Sequence, residues 1–161
     1  MLSWLKAVWN RTAHPPGPTA EAAEGARGEQ AAADFLRSRH GFVVVTRNWR
    51  SPRDRRDEID LVCRDGDVLV FVEVKARAAG ALVAGYHAVD ERKKRALRRA
   101  VHAYLAQLNP PPRTFRFDVA EVTHSGRLPP QVLHFENVAL FPHGYHVTRQ
   151  SGPPGGVAGG L

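Results

Sequence analysis

Two apolar runs flank Asp65-Gly66-Asp67, and this arrangement limits the possible folds more than any other feature of the chain. The runs extend from Glu58 to Arg64 and from Val68 to Lys75. Short apolar runs joined by Asp and Gly, which accept the positive φ of tight turns, are typical of a β-hairpin. The sequence therefore predicts two neighbouring antiparallel strands.

Helices and further strands are predicted on both sides of this hairpin. Alternation, alanine content and proline positions predict a helix over 21–39, a strand over 42–46, a second helix over 90–108 and two strands over 114–122 and 132–137. Loops are predicted over 50–57 and 76–88. The order αβββαββ, with hairpins beside helices, favours an α/β sandwich with a mixed central sheet flanked by helices.

Segments rich in proline and glycine bound this domain. Residues 1–19 contain a short apolar segment and a proline-rich linker, and residues 142–161 form a tail too poor in apolar residues to pack. The domain is predicted to cover 20–141. The first ten residues do not match a secretory signal, and no later run approaches the roughly 18 apolar residues of a membrane span.

Charge and cysteine content indicate the partners and the compartment. The sequence has 23 Lys and Arg against 16 Asp and Glu, a formal net charge of +7, which favours polyanionic partners. The excess of Arg over Lys is also produced by genome composition alone. Cys63 is the single cysteine, so no internal disulfide can form, and we expect a cytoplasmic protein in which Cys63 is a buried strand residue.

Three polar residues of the hairpin are predicted to lie together. Side chains two apart share a face of a strand, so Glu73 and Lys75 point the same way. If Gly66-Asp67 is the turn, Asp60 lies opposite Glu73, with Cβ atoms about 4.5–5.5 Å apart. If Asp65-Gly66 is the turn, Asp60 is a diagonal neighbour of Glu73. A three-residue loop would place Asp60 on the other face.

Two facing carboxylates in an apolar sequence need a compensating cation. Lys75 supplies one charge, and hard oxygen ligands suit Mg²⁺ or Mn²⁺. The eight histidines are dispersed, without zinc-ligand spacing. The alternative is that Glu73 and Lys75 are solvated ends of an ordinary strand, with Asp60 paired to an arginine. The acidic-x-Lys triplet alone is common, but Glu-Ile-Asp before a hairpin and Phe-Val-Glu-Val-Lys after it are much more restrictive.

Four segments, in this order, resemble the YraN-like family of largely uncharacterised bacterial proteins, which is similar in fold to Holliday-junction resolvases and restriction endonucleases. The segments are Gly28-Glu29, Arg47-Asn48-Trp49-Arg50, Glu58-Ile59-Asp60-Leu61 and Phe71-Val72-Glu73-Val74-Lys75-Ala76-Arg77. The resemblance covers about residues 23–122. It departs from the family at Asp57, where the family usually has glycine.

The resemblance implies a PD-(D/E)XK core, with Asp60 as the motif aspartate and Glu73 and Lys75 as the Glu-x-Lys element. Glu29 would match the early helix glutamate of the resolvase relatives. Glu29 also lies on the apolar stripe of its predicted helix, which favours a metal or lysine partner over a solvated position. Glu58 is either a second ligand or a salt-bridge partner of a nearby arginine.

Basic residues follow the predicted site. Arg77 is a candidate to steady the scissile phosphate. The second helix carries a cluster that is predicted to bind the nucleic-acid backbone, because it follows the predicted site in sequence; the alternative is a solvated helix face, where most charge runs lie. The residues of this cluster are Arg92, Lys93, Lys94, Arg95, Arg98 and Arg99.

These observations predict a metal-dependent endonuclease that hydrolyses phosphodiester bonds in DNA. Asp60, Glu73 and the Val74 carbonyl would hold Mg²⁺ or Mn²⁺, and Lys75 would orient or deprotonate the attacking water. Base-reading motifs are absent, so shape or junction selectivity is expected, and cutting a junction would require two sites, as in a homodimer. The rival interpretations are a nuclease-fold binding module without activity and a protein-interaction factor.

Overall fold

The computed structural model describes residues 19–78, 90–126 and 128–141. It has two helices and five strands, in the predicted order αβββαββ: α1 Ala20–His40, β1 Val43–Arg50, β2 Glu58–Asp65, β3 Val68–Ala78, α2 Glu91–Ala106, β4 Thr114–His124 and β5 Gln131–Phe135. The predictions for residues 1–18, for the tail 142–161 and for most of the loop 76–88 lie outside the described residues.

The five strands form one mixed sheet in sequence order, β1-β2-β3-β4-β5. Only β3 and β4 are parallel, because α2 connects them, and the other neighbours are antiparallel. On one face, Ala32, Ala33 and Leu36 of α1 pack against the sheet in a cluster that we call the α1-side core. On the other face, Leu97, Val101 and Tyr104 of α2 do so in the α2-side core. The predicted mixed α/β sandwich is confirmed.

Local signals fix where the two helices begin and end. The Thr19 side chain accepts a hydrogen bond from the Ala22 N–H (3.2 Å) at the start of α1, and Gly41 ends the helix with a φ of 71°. Asp90 caps α2 by accepting a hydrogen bond from the Lys93 N–H at 2.7 Å. The cap orients the first turn of α2, which carries Lys93.

The hairpin adopts the first of the two predicted registers. Asp65 pairs with Val68, so Gly66-Asp67 is the turn, and Gly66 has a φ of 56° that glycine adopts without steric cost. From there the paired residues run to Leu61 and Val72. This register brings Asp60 to the level of Glu73.

Two strands run three or more residues beyond their predicted ends, because pairing with a neighbour holds polar residues in the sheet. β1 continues past residue 46 to Arg50, which pairs with Glu58. β3 continues past Lys75 to Ala78, in parallel register with β4. Cys63 is fully buried in β2, as predicted. Within the described ranges, no helix is long and apolar enough to cross a membrane.

Candidate active site

Side chains of β1 and β2 change faces at the level of Asp60. Leu61 packs in the α1-side core, whereas Ile59 packs in the α2-side core, although residues two apart in a regular strand share a face. Trp49, the partner of Ile59, also lies on the α2 side, and Asn48 before it has a φ of 48°. Asparagine tolerates this left-handed conformation better than most residues. Asp60 therefore lies at an irregularity shared by two strands.

The Asp60 carboxylate is turned toward β3. Its Oδ2 accepts a hydrogen bond from the Val74 N–H at 2.7 Å, just beyond the last residue pair of the β2–β3 ladder, Leu61 and Val72. Only 9% of Asp60 is exposed. A side-chain oxygen thus accepts a hydrogen bond from the backbone of β3 where regular strand pairing ends. This contact fixes Asp60 beside the strand that carries Glu73.

Glu73 is a buried carboxylate whose two oxygens have different surroundings. Its Oε1 lies 2.8 Å from Lys75 Nζ and 3.1 Å from Lys93 Nζ. Its Oε2 is buried and has no hydrogen-bond partner among the described residues. A buried acceptor without a donor is costly, on the order of 1–3 kcal/mol. The site therefore has an oxygen whose bonding capacity the described residues leave unused.

The electrostatics of the site disfavour a second negative charge. Burial first, and then the charge of Glu73, raise the pKa of Asp60 to about 7, and the charge of Glu29 acts in the same direction. Burial tends to lower the pKa of Lys93, but Glu73 and Asp60 outweigh it, and the net shift is upward. The site thus favours positive charge and disfavours full ionisation of both carboxylates.

Glu29 reaches this region from α1. Its side chain is half-buried, and its charge is close enough to raise the pKa of Asp60. The preceding Gly28 is buried, and a Cβ built there would lie 3.1 Å from the Cβ of Ala76 in β3. Glycine at this position lets the helix approach the strand closely, which brings Glu29 toward the hairpin.

The structure divides the predicted nucleic-acid-binding residues into two groups. Lys93 points into the site and contacts Glu73, which the sequence did not predict. Arg92 and Arg95 are exposed and form no salt bridge with a described residue. Lys94 lies 3.1 Å from Glu91, and the Arg98 guanidinium donates to the Leu140 carbonyl. Of this cluster, Arg92 and Arg95 are therefore the exposed charges without a described salt-bridge partner.

Two arginines with predicted phosphate contacts are held by carboxylates. Arg77 Nε lies 3.2 Å from Glu121 Oε1, an ion pair whose angles do not make a hydrogen bond. Arg99 donates two hydrogen bonds to Asp57, at 2.9 and 2.6 Å. Both guanidiniums are thereby less available for phosphate contact.

The departure from the family at Asp57 has a structural counterpart. Asp57 is 4% exposed, its φ is not positive, and the bidentate contact from Arg99 compensates its charge. Its carbonyl also accepts a hydrogen bond from the Ser51 N–H at 2.9 Å.

Glu58 Oε2 lies 2.6 Å from Arg50 Nη2, so the structure favours the salt-bridge interpretation of Glu58 over a ligand role.

Comparisons with known proteins identify relatives of this chain. The model of the uncharacterised protein family UPF0102 matches residues 28–122. A UPF0102 protein of Symbiobacterium thermophilum is 47% identical over 98 residues, which cover 61% of this chain and 80% of the relative. A UPF0102 protein of Geobacter metallireducens is 39% identical over 113 residues, which cover 70% of this chain and 88% of the relative. One of Mycolicibacterium vanbaalenii is 38% identical over 123 residues, which cover 76% of this chain and 98% of the relative. These names describe no activity, so a function has to be argued from the site.

Proposed function

This chain belongs to the uncharacterised protein family UPF0102, and we propose that it is a metal-dependent endonuclease with a PD-(D/E)XK core that hydrolyses phosphodiester bonds in DNA. The observation that carries the proposal is the buried Glu73 carboxylate beside Asp60. One Glu73 oxygen is held by two lysines, and the other has no hydrogen-bond partner among the described residues.

The residues present fit a hard divalent cation such as Mg²⁺ or Mn²⁺. Asp60 and Glu73 offer carboxylate oxygens, the Val74 carbonyl lies between Glu73 and Lys75 in sequence, and the described part of the site contributes no sulfur ligand. Without a cation, burial and Glu73 raise the pKa of Asp60 to about 7, and a bound cation would favour the ionised carboxylate. When bound, the ion would neutralise charge that develops on the phosphate.

The protein residues would then have distinct tasks. Lys75, whose Nζ lies 2.8 Å from Glu73 Oε1, would orient the attacking water as an ammonium, or deprotonate the water after losing its own proton. Lys93 and Lys75 together balance the two buried carboxylates. Glu29 adds a carboxylate from α1. Arg92 and Arg95 contact the DNA backbone, which positions the substrate without reading its bases.

The test is cleavage of a panel of DNA substrates (duplex, single strand, flap and four-way junction) with Mg²⁺ or Mn²⁺. We expect metal-dependent cutting by the wild-type protein and none by Asp60→Ala or Glu73→Gln. Under single-turnover conditions, Lys75→Ala should cut at least a hundredfold more slowly, since general base catalysis contributes typically 10²–10⁴-fold. Unchanged cutting by Lys75→Ala would refute the role given to that lysine.

The second candidate is a binding module that retains the fold without chemistry. The module needs only the exposed Arg92 and Arg95, whose contacts with phosphates would not depend on a metal at Asp60 and Glu73. Tight, salt-sensitive DNA binding by both wild type and Asp60→Ala, with no cutting of any substrate in the panel, would support the module and refute the enzyme.

A junction-cutting enzyme would also act as a homodimer, which sedimentation with a four-way junction tests.

A further inference from the structure

A group of metal-ligating side chains lies where α1 ends beside β5. His40 is the last residue of α1, His134 belongs to β5, and Glu136 follows that strand. One ligand atom from each residue lies within 4.8 Å of the others. The two imidazole rings meet edge to face, with centroids 4.9 Å apart. None of these residues belongs to the site at Asp60 and Glu73.

The side chain of His134 is buried and contacts a carboxylate through one ring nitrogen, as is typical of metal-binding histidines. Its side chain is 3% exposed, and its Nε2 lies 2.9 Å from Oδ2 of the fully buried Asp118. Asp118 in turn accepts hydrogen bonds from the Arg116 guanidinium (3.1 Å) and the Asn137 N–H (2.9 Å). An ionised carboxylate only accepts, so in the neutral imidazole Nε2 carries the proton and Nδ1 has the free electron pair.

The Nδ1 atom is buried and has no hydrogen-bond partner among the described residues. It lies 3.8 Å from Glu136 Oε1, which is beyond hydrogen-bonding distance. A buried imidazole nitrogen with a free electron pair, aimed at a carboxylate and beside a second imidazole, points to a cation between them. The sequence could not show this, because His40 and His134 are distant in the chain.

We infer that His40, His134 and Glu136 form a second metal site, for a borderline transition-metal ion such as Zn²⁺. Two imidazoles and one carboxylate suit Zn²⁺, whereas Mg²⁺ prefers oxygen ligands. Ligands about 2.1 Å from a tetrahedral ion are roughly 3.4 Å apart, so ligand atoms that lie within 4.8 Å of one another must close by about 1.4 Å or less. His40 and Glu136 are exposed and can make this adjustment.

Asp118 positions His134 by its contact with Nε2, which leaves Nδ1 for the ion. This arrangement fixes the ring of many metal-bound histidines. The bound ion would join the end of α1 to the edge strand β5. A remaining coordination position would face solvent, because His40 and Glu136 are both exposed. The site is therefore expected to take one ion per chain and to exchange it with chelators.

Zn²⁺ titration of the full chain by calorimetry tests this inference, with His40→Gln and Glu136→Gln as the site variants. Both residues are exposed, so their replacement should leave the fold intact. His102→Gln on α2 is the matched control. Wild type and His102→Gln should bind one Zn²⁺ per chain, and each site variant should bind it at least tenfold more weakly. Asp60→Asn should keep this Zn²⁺, which separates the site from the active-site cation.

Co²⁺ provides a second measurement. Wild type should give the visible absorption bands of a four-coordinate Co²⁺ ion, and His40→Gln should lose them. The inference is wrong if the wild type binds no Zn²⁺, or if binding is unchanged in both site variants. Loss of Zn²⁺ binding in Asp60→Asn with retention in His40→Gln would assign the ion to the active site and would equally overturn it.

Discussion

Replacing Asp60 with asparagine should stabilise the folded protein at neutral pH and leave it nearly unchanged at pH 4. The Asp60 carboxyl is buried beside Glu73, and burial first, then that charge, raise its pKa from an ordinary 3.8 to about 7. An asparagine amide oxygen can still accept the Val74 N–H, but it carries no charge. The variant therefore removes the unfavourable ionisation and keeps the contact.

The magnitude follows from the two protonation states. Between about pH 4 and pH 7 the unfolded chain has lost a proton that folded Asp60 keeps, so the free energy of unfolding falls as pH rises. Each pH unit in this window contributes about 1.4 kcal/mol, which gives about 4 kcal/mol at most above pH 7. Asp60→Asn should gain up to this amount at pH 8 and little at pH 4.

Urea unfolding at pH 4, 6 and 8, with a chelator present, measures this difference. Asp118→Asn is the matched control, because Asp118 is also buried but has a lowered pKa. Burial alone would raise the pKa of Asp118, and hydrogen bonds from His134, Asn137 and Arg116 outweigh it. Asp118→Asn should therefore destabilise the protein at pH 8. A stability gain for Asp60→Asn that does not depend on pH would refute the reasoning.

Three further predictions concern backbone and surface positions. Gly28→Val should destabilise the protein by about 1–3 kcal/mol, because the new Cβ would crowd β3. Gly25→Ala should stabilise it by about 0.5–1 kcal/mol, because nothing lies within 4 Å of the added Cβ. Urea unfolding compares the two variants. Asn48→Gly should be nearly neutral and Asn48→Val should cost about 1–2 kcal/mol in the same assay, since the φ of 48° suits glycine and asparagine; equal stabilities would contradict this. The double variant Arg92→Ala/Arg95→Ala should weaken DNA binding and reduce the salt slope by about 2, measured by fluorescence anisotropy; an unchanged slope would exclude both arginines from phosphate contact.

Local sequence signals were sufficient for most of the fold. The Asp65-Gly66-Asp67 segment limited the hairpin to two registers, of which the structure has the one with Gly66-Asp67 as the turn, and Gly41 and Asp90 marked helix ends, because turns and caps depend on residues close in sequence. The full length of β1 and β3 was not predicted. Their last residues are kept in the sheet by partners on β2 and β4, which sequence alternation does not reveal.

The candidate site could be predicted only in part. Motif spacing was sufficient to group Asp60, Glu73 and Lys75, which the structure brings together around one buried carboxylate. Lys93 was predicted to bind the nucleic-acid backbone with the rest of the α2 cluster. Its contact with Glu73 had no sequence signal, because it depends on how α2 lies over the sheet. The exchange of faces at Asp60 also breaks regular alternation, so its hydrogen bond to Val74 had no sequence signal.

The ion pairs of α2 also had no sequence signal, because they depend on how the helix lies over the sheet. Arg99 and Asp57 are far apart in sequence, and their contact exists only because the helix covers the loop before β2. A count of basic residues therefore overestimates the surface available to DNA. Of the cluster on α2, the structure leaves Arg92 and Arg95 exposed and without a described salt-bridge partner.

The central claim, that Asp60 and Glu73 form a site for a hard divalent cation, is tested most directly by Mn²⁺ binding. The electron paramagnetic resonance signal of free Mn²⁺ is measured as the protein is titrated, for wild type, Asp60→Asn and Glu73→Gln. The account predicts that Mn²⁺ binds to the wild type, that Mg²⁺ displaces it, and that both variants lose it. Mn²⁺ binding of equal strength in all three proteins, or none in the wild type, would contradict the claim.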